Sequence, residues 1–394
     1  MPTIPPKSLN VAFQKTSLNS NLNIVADEKI LHVVQAFSTI GNVVVKSGND
    51  IASPDVAKAD VLVTRTTTKV SEKLLENSAV KFVATATAGT DHIDLEYLTA
   101  KNIGFTSAPG CNSEAVGEFV VNALLRLAAK KKIDLSGRTI GIIGAGNAGS
   151  ALKRKACCLG LKCLLNDPPL FDKTSRKDLI PINDLVAKSD IISLHVPLTK
   201  SGPHPTYHLI DRKIISAMKP NSIFINTSRG GIINECVLVK NRGKFSGIIL
   251  DVWEGEPHID PESLKIADFA TPHIAGYSLD GKFKATEIVY RETCSYFGLA
   301  PTWKSPRQYN SESLIIDLED KKCSLAEVLK RTYDIYEDDK RLREVSTVAH
   351  PISHFRSLRG SYHFRQEFAN FQISNYSGLT NATIDSLKCL GFVL

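Results

Sequence analysis

The sequence predicts an α/β chain: two doubly wound parallel-sheet domains followed by a small α+β C-terminal domain. Three observations carry this. Short apolar runs alternate with helical stretches along most of the chain. Each apolar run hands over to polar residues at its C-terminal end. At the centre, Thr139–Ile143 leads directly into Gly144, Gly146 and Gly149, spaced G-x-G-x-x-G. In such a turn the first glycine allows the bend and the second lets backbone approach a pyrophosphate. The third lets the following helix pack on the strand.

Taken in order, Leu22–Val25 reads as a strand, Lys29–Ser38 as a helical stretch and Asn42–Lys46 as a strand. Val61–Thr64 ends at Arg65, Thr66, Thr67 and Thr68, and Lys81–Thr85 ends at Ala86-Thr87-Ala88-Gly89-Thr90. Ser113 reads as the N-cap of a long helix with Val116, Phe119, Val120, Ala123, Leu124 and Leu127 on one face. After the glycine turn, Ala148, Ala151, Leu152, Ala156 and Leu159 recur at helical spacing up to a stop at Gly160. Lys162–Leu165 begins the next strand, which ends at Asp167. Asp190–Leu194 ends at His195, Ser222–Ile225 at Asn226-Thr227-Ser228-Arg229-Gly230, and Ile248–Leu250 at Asp251. Beyond Phe269-Ala270-Thr271-Pro272-His273 and Ile274-Ala275-Gly276-Tyr277, a helical stretch to about Tyr296 returns to complete the first domain.

Gly298–Ser313 reads as a linker, and Ser324-Leu325-Ala326-Glu327 as a capping box. That box opens one helix with Leu325, Val328, Leu329, Thr332, Ile335 and Tyr336 on a single face. A strand at Phe371–Ile373 and a helix ending at Gly391 follow. The expected boundaries are a flexible extension over 1–21, a substrate-binding lid domain over 22–115 with 276–300, a Rossmann-like nucleotide domain over 116–275, and the C-terminal domain over 301–394. Both sheet domains read as Rossmann-like or flavodoxin-like.

With 394 residues, 43% hydrophobic and 23% charged, the chain has an ordinary globular composition and room for these domains. Its net charge of +7 is spread out, without the dense basic blocks and interleaved aromatics that mark nucleic-acid binding. The basic run Lys130–Lys132 reads as a solvated helix end. The eight cysteines form no C-x-x-C pair and no zinc-like spacing, which predicts reduced thiols in a cytoplasm and no metal. Phe119–Ala129, broken by Asn122 and Arg126, is too short to span a bilayer. The apolar face of the C-terminal domain suits packing against a partner subunit.

Chemistry is legible at the strand ends. Gly144, Gly146, Asn147, Ala148 and Gly149 frame a pyrophosphate, and Asp167 offers an acceptor to a ribose 2′-OH. Its charge repels a 2′-phosphate, and prolines rather than an arginine follow it, so NAD is favoured over NADP. His273 is suited to taking a proton from a hydroxyl near neutral pH. Glu254 and Glu256 both follow a strand tip, and residue chemistry alone does not choose which one orients the imidazole. Arg229 can hold a carboxylate bidentately, and Arg65 is a candidate for a phosphate.

The glycine turn, Asn226–Gly230, Asp251-Val252-Trp253-Glu254-Gly255-Glu256-Pro257 and Thr271–Gly276 together resemble the D-2-hydroxyacid dehydrogenases. The resemblance selects Glu256 and implies a catalytic set of Arg229, Glu256 and His273, with His273 as proton carrier. It implies substrate contacts at Thr66, Thr87 and Tyr277. It implies cofactor contacts at Asp167, Val196, Thr227, Ser228, Arg229, Asp251 and Gly276. Lys81–His92, Ala108-Pro109-Gly110-Cys111-Asn112, Asp167-Pro168-Pro169 and Gly276-Tyr277 are similar to one branch of that family. Its members oxidise a phosphorylated 2-hydroxy acid with NAD and carry an extra C-terminal dimerisation domain.

The resemblance covers Leu22 to Leu394. It departs at the N-terminal extension, at Lys29 and at the basic helix Lys153-Arg154-Lys155-Ala156-Cys157-Cys158. Two other readings remain: a 3-phosphoglycerate-type substrate, and a corepressor-like protein that senses NAD without turnover.

Overall fold

The computed structural model describes residues 21–306, 314–363 and 365–394. The expected N-terminal extension, up to residue 20, and the end of the expected linker lie outside these. The chain divides into two compact units. One comprises the described parts of Thr3–Asn112 and Leu279–Gln308, the other Ser113–Ser278 and the described part of Tyr309–Leu394.

In the first unit, β1 (Leu22–Asp27), β2 (Gly41–Lys46), β3 (Val61–Thr64), β4 (Phe82–Thr85) and β5 (Gly104–Thr106) form a parallel sheet in the order β2-β1-β3-β4-β5. This is the flavodoxin-like order, reversing beside β1. Every residue of β3 and β4 is buried, as unbroken apolar runs require in a sheet covered on both faces. The Leu279–Tyr296 helix packs here, with Tyr290 edge-on to Phe37 at 5.7 Å between ring centroids.

In the second unit, β6 (Thr139–Ile143), β7 (Lys162–Asn166), β8 (Ile191–Leu194), β9 (Ser222–Asn226), β10 (Phe245–Leu250) and β11 (Phe269–Ala270) form a six-stranded parallel sheet, ordered β11-β10-β9-β8-β6-β7. Strand order reverses between β6 and β8, so the glycine turn that ends β6 lies where ligands of doubly wound sheets bind. Because the strands are parallel, Asp167, His195, Thr227, Asp251 and Thr271 all follow strand ends on one edge.

The C-terminal segment adds a parallel pair, β12 (Leu314–Asp317) and β13 (Phe371–Ser374), with helices around it. Asn122, the polar break in the apolar Ser113–Lys131 helix, seats this segment by donating to the carbonyls of Leu329 and Tyr333 at 3.0 and 3.1 Å.

Two expectations are corrected. The Ser324–Glu327 capping box forms, but the helix it opens stops at Thr332, and a second spans Ile335–Arg343. Tyr333 is extended, and the Asp334 side chain accepts the Tyr336 N–H at 3.2 Å, a local bond that competes with helix continuation. The cysteines are not all free thiols: Cys158, at the end of the Asn147–Cys158 helix, forms a disulfide with Cys389 of the Asn381–Leu390 helix. The basic run does close the Ser113–Lys131 helix, with Lys130 and Lys132 exposed, and it adds tertiary contacts. Lys131 pairs with Asp268 at 2.6 Å, and the Lys130 ammonium lies 5.0 Å from the Phe269 ring centroid.

Candidate active site

The glycine turn is built by exclusion. A Cβ on Gly144, where φ is +97°, would lie 2.6 Å from the His195 backbone, and one on Gly149 would lie 1.9 Å from the Gly144 carbonyl oxygen. Gly146 differs, because a Cβ built there would meet nothing within 4 Å. The Asn147–Cys158 helix starts beside that open space without a side-chain cap, leaving N–H groups and the positive dipole end for an anion.

Asp167 is fixed at the tip of β7. One carboxylate oxygen accepts the Leu170 N–H at 3.0 Å and the other accepts the Ala145 N–H at 2.9 Å. The Thr227 hydroxyl is buried without a hydrogen-bond partner. Open space at Gly146, a fixed carboxylate and a buried hydroxyl with no hydrogen-bond partner, all on one sheet edge, fit a dinucleotide. His195, beside Val196, is not a second proton carrier. Burial pushes its imidazole down to about 4, and its Nε2 meets the Ser193 hydroxyl at 2.8 Å.

His273 is positioned by Asp251, which is buried at the end of β10. Oδ1 accepts from the Thr271 hydroxyl at 2.6 Å and the Ile274 N–H at 2.8 Å, and Oδ2 accepts from the Ala275 N–H at 2.9 Å. The Asp251 carbonyl takes the His273 N–H at 2.7 Å. These bonds hold His273 at a φ of 59°, in the left-handed region, where a residue other than glycine stays only if its surroundings impose it.

The imidazole Nδ1 lies 2.8 Å from Glu256 Oε2, and Glu256 Oε1 accepts the Trp253 N–H at 2.9 Å. Glu254 instead meets His208 Nε2 at 2.6 Å. The choice between the two acids therefore resolves geometrically in favour of Glu256 as the partner of His273. An ionised carboxylate only accepts, so Nδ1 carries the proton toward Glu256 and the lone pair of the neutral ring sits on Nε2.

Burial pushes the Glu256 carboxyl up, but the His273 charge and hydrogen bond, the nearby Arg359 cation and the Trp253 N–H together hold it below its ordinary 4.5. The unfolded chain takes up this proton at higher pH than the folded protein does. Glu256 therefore contributes stability that is complete above about pH 4.5 and lost as pH falls through the lower folded-state value. Glu256→Gln is expected to unfold at lower denaturant than the parent at pH 7, with the gap narrowing in acid. Guanidinium titrations across that range check this, and a gap that widens in acid refutes it.

Arg229 follows β9. Its Nη1 donates to the Ser228 carbonyl at 2.8 Å, and its own carbonyl accepts from Asn226 Nδ2 at 2.9 Å. The next residue, Gly230, lies so close to Trp253 that a Cβ would sit 1.9 Å from its carbonyl carbon. The arginine's turn thus rests on the backbone leading to Glu256. Gly276 and Tyr277 continue the His273 turn, and the Tyr277 ring packs edge-on to Tyr362 at 5.6 Å.

One nearby residue was not a sequence candidate. Arg359, in the Pro351–Gly360 helix, places Nη1 3.9 Å from Glu256 Oε2 and Nη2 3.5 Å from the Tyr277 hydroxyl.

The remaining candidates belong to the other unit. Arg65 Nη2 is 2.9 Å from Oδ2 of the fully buried Asp27, which also accepts the Thr67 hydroxyl at 3.1 Å and the Lys29 N–H at 2.9 Å. Its charge is thereby answered inside its own unit. Thr66 is exposed in the adjoining turn. The Thr87 hydroxyl donates to the Gly89 carbonyl at 2.9 Å. Among the described residues, no His, Cys, Asp and Glu side chains cluster in a way that could hold a metal, and no helix is long and apolar enough to cross a membrane.

Comparison with known proteins places the chain in a family. Residues 120–275 match the D-isomer specific 2-hydroxyacid dehydrogenase NAD binding domain, and residues 308–391 match a domain of unknown function, DUF3410. The chain is 37% identical to the erythronate-4-phosphate dehydrogenase of Shewanella halifaxensis, over 94% of this chain and 99% of that protein. It is 38% identical to the enzyme of the same name from Escherichia coli, over 94% and 98%. Among solved structures, it is similar to the D-lactate dehydrogenase of Aquifex aeolicus complexed with NAD and lactic acid. That likeness has a TM-score of 0.57 at 26% identity and covers 70% of this chain and 96% of that one.

Proposed function

Because this chain belongs to the erythronate-4-phosphate dehydrogenase family, we propose that it oxidises 4-phospho-D-erythronate at C2 to 2-oxo-3-hydroxy-4-phosphobutanoate, in pyridoxal 5′-phosphate biosynthesis. The observation that carries this is the Glu256–His273 pair, at 2.8 Å, on a turn anchored at the same sheet edge as the dinucleotide loop. NAD, when bound, supplies the hydride acceptor.

The chain's residues supply the rest. His273 Nε2 receives the C2 hydroxyl proton, and Glu256 stabilises the imidazolium that results. Arg229 holds the substrate carboxylate and the developing carbonyl. Gly144, Gly146, Asn147, Ala148 and Gly149 cradle the pyrophosphate and Asp167 holds the ribose. Val196, Thr227, Ser228, Arg229, Asp251 and Gly276 complete the cofactor contacts. On the resemblance, Tyr277, Thr66 and Thr87 contact substrate, and Arg65, the candidate from residue chemistry, lies beside Thr66.

A cytoplasmic homodimer paired through the C-terminal domain is part of this reading. The exposed Leu314 and Ile315 on β12 and Val393 near the C-terminus support it.

The test is NADH formation by the purified protein with 4-phospho-D-erythronate and with 3-phospho-D-glycerate. Faster turnover of the former is expected, and a preference for the latter overturns the substrate. Failure to reduce NAD with any 2-hydroxy acid overturns the enzymatic reading and favours an NAD-sensing role. Asp167 should also impose a preference for NAD over NADP on the order of 10²-fold, since juxtaposed like charges cost several kcal/mol. Asp167→Ser is expected to shrink that preference about tenfold in kcat/KM, and an unchanged ratio rules out Asp167 as its source.

A further inference from the structure

The proposed substrate has two anionic ends. Arg229 answers the carboxylate, while Arg65, the sequence candidate for the phosphate, is already paired with buried Asp27. Arg359 stands differently. A guanidinium carries five N–H donors, and this one has spent little of that capacity. Its Nη2 reaches the Tyr277 hydroxyl only at 3.5 Å, and its Nε is buried with no hydrogen-bond partner. At 3.9 Å, the approach of Nη1 to Glu256 is longer than a hydrogen bond, and that carboxylate is already held by His273 and Trp253.

The position is nonetheless built rather than incidental. The guanidinium carbon lies 6.0 Å from the ring centroid of buried Phe355, one turn back on the same helix. Just beyond the helix, Tyr362 packs on Tyr277, and Arg365 donates to the Ile274 carbonyl at 3.0 Å and also to the Ala275 carbonyl. The end of the Pro351–Gly360 helix is thereby pinned to the turn that carries His273. A cation held this close to the reacting groups, with donors unspent, matches the planar bidentate recognition of a phosphate.

We propose that Arg359, supplied by the C-terminal segment, is the specificity-determining residue that grips the phosphate of the substrate. The assignment rests on the 2-hydroxy acid dehydrogenase reading above. It gives this segment a part in recognition as well as in the proposed subunit pairing.

The experiment compares the full-length parent, Arg359→Lys and Arg359→Met at saturating NAD. It measures kcat and KM for 4-phospho-D-erythronate and competitive inhibition by inorganic phosphate and by unphosphorylated D-erythronate. NADH binding serves as the check on folding. In Arg359→Met, KM should rise about 10- to 100-fold and phosphate inhibition should weaken in parallel, with kcat moving less and D-erythronate inhibition unchanged. Arg359→Lys should fall between the two, and it carries the comparison if the Met variant does not bind NADH.

A fall in kcat with KM and phosphate inhibition unchanged overturns the proposal, leaving Arg359 to act only through Glu256. An equal loss of D-erythronate inhibition overturns it as well. If the parent does not oxidise 4-phospho-D-erythronate, the functional reading fails. Equilibrium binding of inorganic phosphate to parent and variant then still decides whether Arg359 holds the anion.

Discussion

Replacing His273 with alanine is expected to lower kcat by about 10²- to 10⁴-fold, the range lost with a positioned general base. NADH affinity should stay within a small factor of the parent. The two effects separate because the imidazole touches none of the groups that frame the dinucleotide turn, whereas its Nδ1 is engaged at 2.8 Å by Glu256. The substitution removes the proton acceptor, and Glu256 is left with the Trp253 N–H at 2.9 Å and the more distant Arg359. Single-turnover kinetics at saturating NAD, with NADH binding measured alongside, check both halves. Undiminished turnover removes His273 from the chemistry, and a matching loss of NADH affinity makes it a structural residue.

The second large effect is expected at Asp251. Asp251→Ala deprives the Ile274 and Ala275 N–H groups of their acceptor and frees the Thr271 hydroxyl, all in a buried setting. Two buried N–H groups left unsatisfied cost about 2–6 kcal/mol together. The same bonds hold His273 in its left-handed conformation, so activity should fall further than the lost stability alone explains. Asp251→Asn keeps one acceptor and should fall between. Guanidinium denaturation and kcat on the same samples check this, and a loss below about 1 kcal/mol for Asp251→Ala refutes the anchoring role.

Much of this architecture is written locally. The strand that ends at the glycine turn, the Ser324–Glu327 capping box and the polar residues at strand tips each depend on neighbours within a few positions, where side-chain periodicity and cap chemistry act. What escaped is long-range. Glu254 and Glu256 sit on the same loop and only the fold separates them, by bringing His208 to one and His273 to the other. The helix break at Tyr333 is invisible in the apolar pattern because Ile335 and Tyr336 go on facing the core, Tyr336 edge-on to Phe269 at 4.9 Å. The Cys158–Cys389 bridge joins residues 231 positions apart. Arg65 reads as a free cation until β1 is seen to run on to Asp27 rather than end at Val25. Arg359 lies outside every strand, helix and motif read from the sequence, in a helix that only the structure shows, so nothing local links it to Glu256.

The central claim is hydride removal from C2 of the hydroxy acid, with His273 accepting the hydroxyl proton. Following a deuterium placed at C2 of 4-phospho-D-erythronate through turnover by the parent protein tests it most directly. The label should be recovered in the reduced nicotinamide, and a slower rate should be seen for the deuterated substrate in single turnovers. Release of the label into solvent, or consumption of the substrate without NAD reduction, would contradict it.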